Sequence, residues 1–243
     1  KVEAMVHCLR GCDYLSNGEY TLAIDELNTA IELDTDNGEA YRKRGSAYLN
    51  SRQWDLAIAD FTKAIELNPN DALAYDKRGI ALGEKGEYDK AISDCTMAIE
   101  LDHTSPGPYL NRGLSYYKLY DNDKAVADYN KAIELAPGVA LFYVNRGLAS
   151  YHKDEYAKAL ADFSMAIQLD PNSPEAYNYR GEAYAENGEY DKAISDFNQV
   201  VELDPSDVVA YGNRIWACTL KNDCIKSVAD CTEVIKLDPS DLW

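Results

Sequence analysis

One arrangement of residues returns every 34 positions along this chain, seven times, without insertion or deletion. Its clearest beat is an arginine followed by a small residue: Arg10-Gly11, Arg44-Gly45, Arg78-Gly79, Arg112-Gly113, Arg146-Gly147 and Arg180-Gly181, then Arg214-Ile215. A chain with this period does not fold around a single globular core. Each unit has to bury its apolar faces against its neighbours, and the outcome is a quasi-one-dimensional stack whose product is a surface.

With the units begun at Ala4, Gly38, Ala72, Pro106, Ala140, Pro174 and Val208, position 4 is His7 and then tyrosine six times. Position 8 is glycine in six units and Ile215 in the last. Positions 4, 8 and 11 share one helical face, because they differ by three or four residues. A second apolar set at positions 17, 20, 24 and 27, such as Trp54, Ala57, Phe61 and Ala64, also has helical spacing. Turn residues such as Asn17-Gly18 and Asn187-Gly188 separate the sets, and proline at position 32 in five units stops the second helix. Each unit therefore reads as two short antiparallel helices. The glycine at position 8 and the alanine at position 20 are expected to let the two backbones approach closely.

This pattern resembles the tetratricopeptide repeat in its period, the aromatic at position 4, the glycine at 8, the alanines at 20 and 27 and the proline at 32. The resemblance spans residues 4–241, as repeats 4–37, 38–71, 72–105, 106–139, 140–173, 174–207 and 208–241 of one array. It implies an all-α, right-handed superhelical solenoid of helix hairpins and a protein-interaction scaffold rather than an enzyme. Lys1 at the start and Leu242-Trp243 at the end read as cuts through a longer protein.

Position 7, usually leucine in that family, is arginine in all seven units, and position 23 is acidic in all seven: Glu26, Asp60, Asp94, Asp128, Asp162, Asp196 and Asp230. Facing residues of an antiparallel hairpin have nearly constant index sums, and 7 with 23 fits the sum set by 4 with 27. One internal Arg–carboxylate pair per unit is expected. The alternative is a row of arginines awaiting an anionic ligand. The seventh unit departs furthest, with Ile215, Ser227, Cys218, Cys224 and Cys231 at core positions, so looser packing is expected there.

There are 42 acidic and 24 basic residues, a net charge of -18, which argues against nucleic acid or an anionic membrane as partner. No apolar run reaches spanning length. Cys95, Cys218, Cys224 and Cys231 sit where other units carry core side chains, so the six cysteines read as free thiols of a reducing, cytoplasmic setting. One disulfide among Cys218, Cys224 and Cys231 stays open. Cys8 and Cys12, beside His7 and Asp13, have a metal-like spacing, but His7 points into the hairpin and two thiolates are a weak zinc signal. No cofactor or metal is expected, and no nucleophile–base pair or phosphate-cradling loop is present.

The resemblance also implies that the first helices line a concave groove through positions 2, 5, 6, 9, 12 and 13. Units four and five offer Leu110, Leu114, Tyr117, Val144, Leu148 and Tyr151 there, a largely uncharged patch. Position 6 forms a column of Lys43, Lys77, Asn111, Asn145, Tyr179 and Asn213. Asparagine both donates and accepts, so it can bracket the backbone of an extended peptide, although Tyr179 interrupts the column. Unit three adds Asp76, Ile80 and Glu84, and unit six turns acidic with Glu175, Glu182 and Glu186. The residue set by which chaperone-docking relatives hold a terminal carboxylate is not supplied by any three consecutive units. Two functions follow: peptide or helix capture in the groove, or self-assembly through the terminal repeats.

Overall fold

The computed structural model describes residues 1–222 and the backbone of 224–237, with side chains described again from Asp230. The described residues form fourteen α-helices and no strand. The first helices of the hairpins are α1 (Val2–Ser16), α3 (Gly38–Asn50), α5 (Ala72–Glu84), α7 (Pro106–Lys118), α9 (Ala140–Tyr151), α11 (Pro174–Glu186) and α13 (Val208–Leu220). The second helices are α2 (Tyr20–Leu33), α4 (Trp54–Leu67), α6 (Tyr88–Leu101), α8 (Asn122–Leu135), α10 (Tyr156–Leu169), α12 (Tyr190–Leu203) and α14 (Cys224–Leu237). The chain divides into two compact units, Lys1–Leu135 and Ala136–Trp243. In each, every second helix packs on its own first helix, and α2, α4, α6, α10 and α12 also pack on the first helix that follows.

The boundaries have local causes. Asn37, Asp71, Ser173 and Asp207 cap α3, α5, α11 and α13 by accepting from the amide three residues on. Pro106 and Pro174 open α7 and α11, where a missing amide hydrogen costs nothing. Each second helix ends at position 30, followed in six units by an extended residue or a proline two positions on. Within the hairpin, position 15 takes a left-handed backbone, and the amide of position 16 closes back on the carbonyl of position 11, as Glu19 does on Tyr14 at 2.9 Å. Gly18, Gly86 and Gly188 meet this demand freely, but Arg52, Tyr120, Asp154 and Asn222 adopt it too, at φ of 59, 61, 58 and 62°. The turn is thus imposed by the paired helices at positions where the residue alone disfavours it.

The core is a row of small residues and one large one per hairpin. Position 24 is completely buried in units one to six: Leu27, Phe61, Cys95, Tyr129, Phe163 and Phe197. Burying a ring of this size contributes about 1.5–3 kcal/mol. It also explains the glycine at position 8. A Cβ on Gly45, Gly113, Gly147 or Gly181 would stand 2.9, 2.7, 2.7 or 2.7 Å from the ring of position 24. The glycine at position 8 is thus also a seat for the position 24 side chain, and at Gly79 the position 20 backbone comes near as well, with Ala91 O at 3.4 Å. In the seventh hairpin Cys231 is exposed, not core as expected, while Cys218 is buried. Ser227 and the Cys224 side chain lie outside the described residues, as do Leu242 and Trp243.

Candidate functional site

Six arginines are held by two kinds of contact at once, and five of them by a third. In hairpins two to seven the position 7 guanidinium donates through Nε and Nη2 to both oxygens of its position 23 aspartate, at 2.6–2.9 Å. Its Nη1 reaches back to position 25 of the preceding hairpin: Arg44 to Asn28, Arg78 to Thr62, Arg112 to Thr96, Arg180 to Ser164 and Arg214 to Asn198. The same group lies 5.3–5.9 Å from the ring of the position 4 tyrosine. The aspartates are buried, at 5–6% exposure. Their hydrogen bonds push each guanidinium further above its ordinary pKa, against the opposing effect of burial.

The first hairpin breaks the expected series of seven. Glu26 is 2.6 Å from His7 Nδ1, and Arg10 is exposed. His7 replaces the tyrosine on which the other guanidinia lie, and Glu26 is one methylene longer than aspartate. The reading of the arginines as an anion site has no geometric support in the cleft of about 370 Å³ around Arg78. Arg78 is on Asp94, Lys85 is 2.6 Å from Asp55, and Lys90 is 2.6 Å from Glu87.

One residue upstream, the position 6 column is half-buried throughout, as are all twelve side chains assigned to the groove. In Lys1–Leu135, Asn111 Nδ2 donates to Asp76 Oδ1 at 2.7 Å, and Lys77 Nζ lies 3.9 Å from Asp76. Asp76, expected on the surface, is buried, and burial raises its carboxyl pKa while Asn111 and Lys77 pull it down. Asn111 and Leu114 line a cleft of about 380 Å³ with Ile80, Glu84 and Lys118; Lys43, Lys77, Leu110 and Tyr117 stand outside its wall.

In Ala136–Trp243, Val144, Asn145, Leu148 and Tyr179 line a cleft of about 370 Å³ between α9 and α11. Asn145 donates to its own helix at Leu141 O, 2.8 Å away. Asn213 donates to Asn178 Oδ1 at 2.8 Å and Glu182 Oε1 at 3.1 Å. Burial raises the Glu182 pKa, opposed by the Asn178 and Asn213 hydrogen bonds. Tyr179 stacks on Phe163 with centroids 5.9 Å apart, and Leu148 and Tyr151 pack on the same buried cluster. Burial, with Glu186 and Glu182 nearby, pushes the Tyr151 phenol up to about 12. These side chains therefore join hairpins as well as face outward. Sequence reasoning passed over Asp170 and Ser173 on the cleft wall, because turn residues read as punctuation. No group of three or more His, Cys, Asp or Glu able to hold a metal occurs among the described residues. Nor is any helix there long and apolar enough to cross a membrane.

Comparison with known proteins follows the same lines. Models of the tetratricopeptide repeat match residues 38–71, 174–207, 110–174 and 61–93, and one of the TPR repeat matches 11–51. No curated protein matches the chain significantly. Among solved structures, Cut9 with Hcn1, from the APC/C hetero-tetramer, superposes with TM-score 0.76 at 20% identity, over 98% of this chain and 47% of that one. The chain thus spans about half of that relative's length. The C-terminal part of a TPR repeat-containing protein from Cytophaga hutchinsonii gives 0.73 at 22% identity, over 96% of both chains. YrrB, described as a TPR protein with an unusual peptide-binding site, gives 0.63 at 26%, over 75% of this chain and 94% of that one. With these models matched along most of its length and hairpin after hairpin in the repeat geometry, the chain belongs to the tetratricopeptide repeat family and is built as a protein-interaction scaffold.

Proposed function

We propose that this scaffold is non-enzymatic and captures an extended peptide or helix along its first-helix face, through Lys43, Lys77, Leu110, Asn111, Leu114, Tyr117, Val144, Asn145, Leu148, Tyr151, Tyr179 and Asn213. The observation that carries the reading is the pair of open clefts, one in each unit, both on that face and both lined by half-exposed leucine beside asparagine. Such concave, apolar sites with a few polar groups are where ligands bind. The likeness to YrrB, whose peptide-binding site is part of its description, supports it. The excess of acid argues for protein rather than nucleic acid as partner, and five free cysteines among the described residues support a reducing, cytoplasmic setting.

The test is panning of a displayed peptide library on the protein, followed by Leu114→Asp and Val144→Asp. Both residues face a cleft and neither is fully buried, so helical circular dichroism should persist while selected peptides are lost. Retention of those peptides by both variants places binding elsewhere. Replacing Tyr151 is a poorer probe, because it packs on the Phe163 cluster.

Self-association is the second reading, favoured by one observation. Val2, Met5, Val6 and Leu9 lie on adjoining turns of α1 at 81, 63, 41 and 55% exposure. Light scattering against concentration, with Met5→Lys and Leu9→Glu, separates it from peptide capture. Ile215 and Trp216 are half-buried and serve this test less well.

A further inference from the structure

The cleft between α9 and α11 continues past Tyr179 into a second one of about 250 Å³, between α11 and the start of α13. Glu175 and Tyr179 line both. The floor is apolar: Leu141 is 52% exposed and Val209 66%, with Val144 and Leu148 between them. The rim is not. It consists of Asp170, Glu175, Asp204 and Asp207, and no lysine or arginine lines either cleft.

The three aspartates are fixed by the turns that carry them. Asp170 accepts from the Asn172 amide at 3.1 Å, Asp204 from the Ser206 amide and hydroxyl at 2.9 and 2.7 Å, and Asp207 from the Ala210 amide at 3.1 Å. In each case the bonds engage Oδ1, which leaves Oδ2 as an acceptor. The hydrogen bonds from Ser206 hold the Asp204 carboxyl below its ordinary range. The corresponding cleft in Lys1–Leu135 is different, because its two charged lining residues, Glu84 and Lys118, are of opposite sign.

We propose that the paired clefts of Ala136–Trp243 take an extended peptide in which apolar side chains alternate with lysine or arginine. This rests on the peptide-capture reading above and names the chemistry of the peptide. In an extended chain successive side chains point to opposite sides, so one set fills the floor while the other reaches the rim. The complementarity is of sign as well as shape: an apolar trough with carboxylates and no cation on its edge admits a basic partner and repels an acidic one. A second copy of this chain, itself at net -18, is a poor occupant.

Fluorescence anisotropy with three labelled peptides, of alternating Leu and Lys, Leu and Glu, and Ser and Lys, tests the inference. The Leu–Lys peptide should bind about tenfold tighter than either of the others, a difference of about 1.4 kcal/mol. Asp170→Asn combined with Glu175→Gln should weaken it about fivefold, whereas Asp89→Asn with Glu100→Gln, an equal change in charge on exposed residues of α6, should not. Equal weakening by both pairs, or equal binding of Ser–Lys, would reduce the effect to net-charge attraction and overturn the proposal. Leu–Glu binding as tightly as Leu–Lys overturns the charge assignment and leaves peptide capture standing. No binding by any of the three, at concentrations up to millimolar, overturns the capture reading along with it.

Discussion

The first hairpin and the six after it carry the same two residue classes in the same two places, an arginine at position 7 and an acid at position 23. Only the six pair them. In the first, Glu26 turns to His7 and Arg10 extends into solvent. The difference teaches that the ion pair is a property of its surroundings. A tyrosine face beneath the guanidinium and an acid of the shorter length combine to fix the arginine, and α1–α2 has neither.

The comparison is most sharply probed by deletion. Arg112→Ala leaves the Asp128 carboxylate buried without its cation, which should cost about 3–5 kcal/mol. Arg10→Ala should stay within about 0.5 kcal/mol. Urea unfolding of the two variants beside the parent measures both, and similar losses would erase the distinction. The glycines should follow with smaller effects. Gly147→Ala drives a Cβ to within 2.7 Å of the Phe163 ring, at a cost of about 1–3 kcal/mol. Gly11→Ala brings a Cβ to 2.6 Å from Cγ of the fully buried Leu27 and should cost about as much; a loss less than half as large would show that the first hairpin is the more yielding one.

Two further changes are expected to stabilise. Tyr129 is fully buried, its hydroxyl has no hydrogen-bond partner, and burial raises its pKa far above the phenolic range. Tyr129→Phe, which installs the residue found in hairpins two, five and six, should gain about 1 kcal/mol; a loss in thermal melting would mean that the hydroxyl is satisfied in solution. His7→Tyr with Glu26→Asp restores both conditions. It should draw Arg10 into a pair worth about 0.5 kcal/mol, visible as a slowed Nε–H resonance. If that resonance is unchanged, the tyrosine and the shorter acid do not suffice to form the pair.

The helices were legible because the apolar spacing recurs in phase seven times, so a substitution in one unit is corrected by the others. The Arg–Asp pairs were legible from index sums within one hairpin. Their third contact was not, since Asn28 or Thr96 meets an arginine 16 residues on only once the angle between successive hairpins is fixed. The left-handed turns at Arg52 and Tyr120 were equally hidden, because neither residue prefers that backbone. For the candidate face, position number put Asn111 and Val144 on the outer side of the first helices, and both line open clefts. It could not show that Asn111 spends its amide on Asp76, or that Tyr151 and Tyr179 are also mortar between hairpins.

The acceptors at position 25 grade the joints between hairpins. Asn28 and Asn198 receive the next arginine at 2.6 and 2.7 Å, whereas Thr62, Thr96 and Ser164 receive it at 3.1, 3.1 and 3.2 Å. The longer amide reaches further than a hydroxyl, so a joint that carries it is the more tightly tied. In a stack whose stability is a sum over neighbours, unequal joints part in order of strength, and one side chain per hairpin sets where local opening begins.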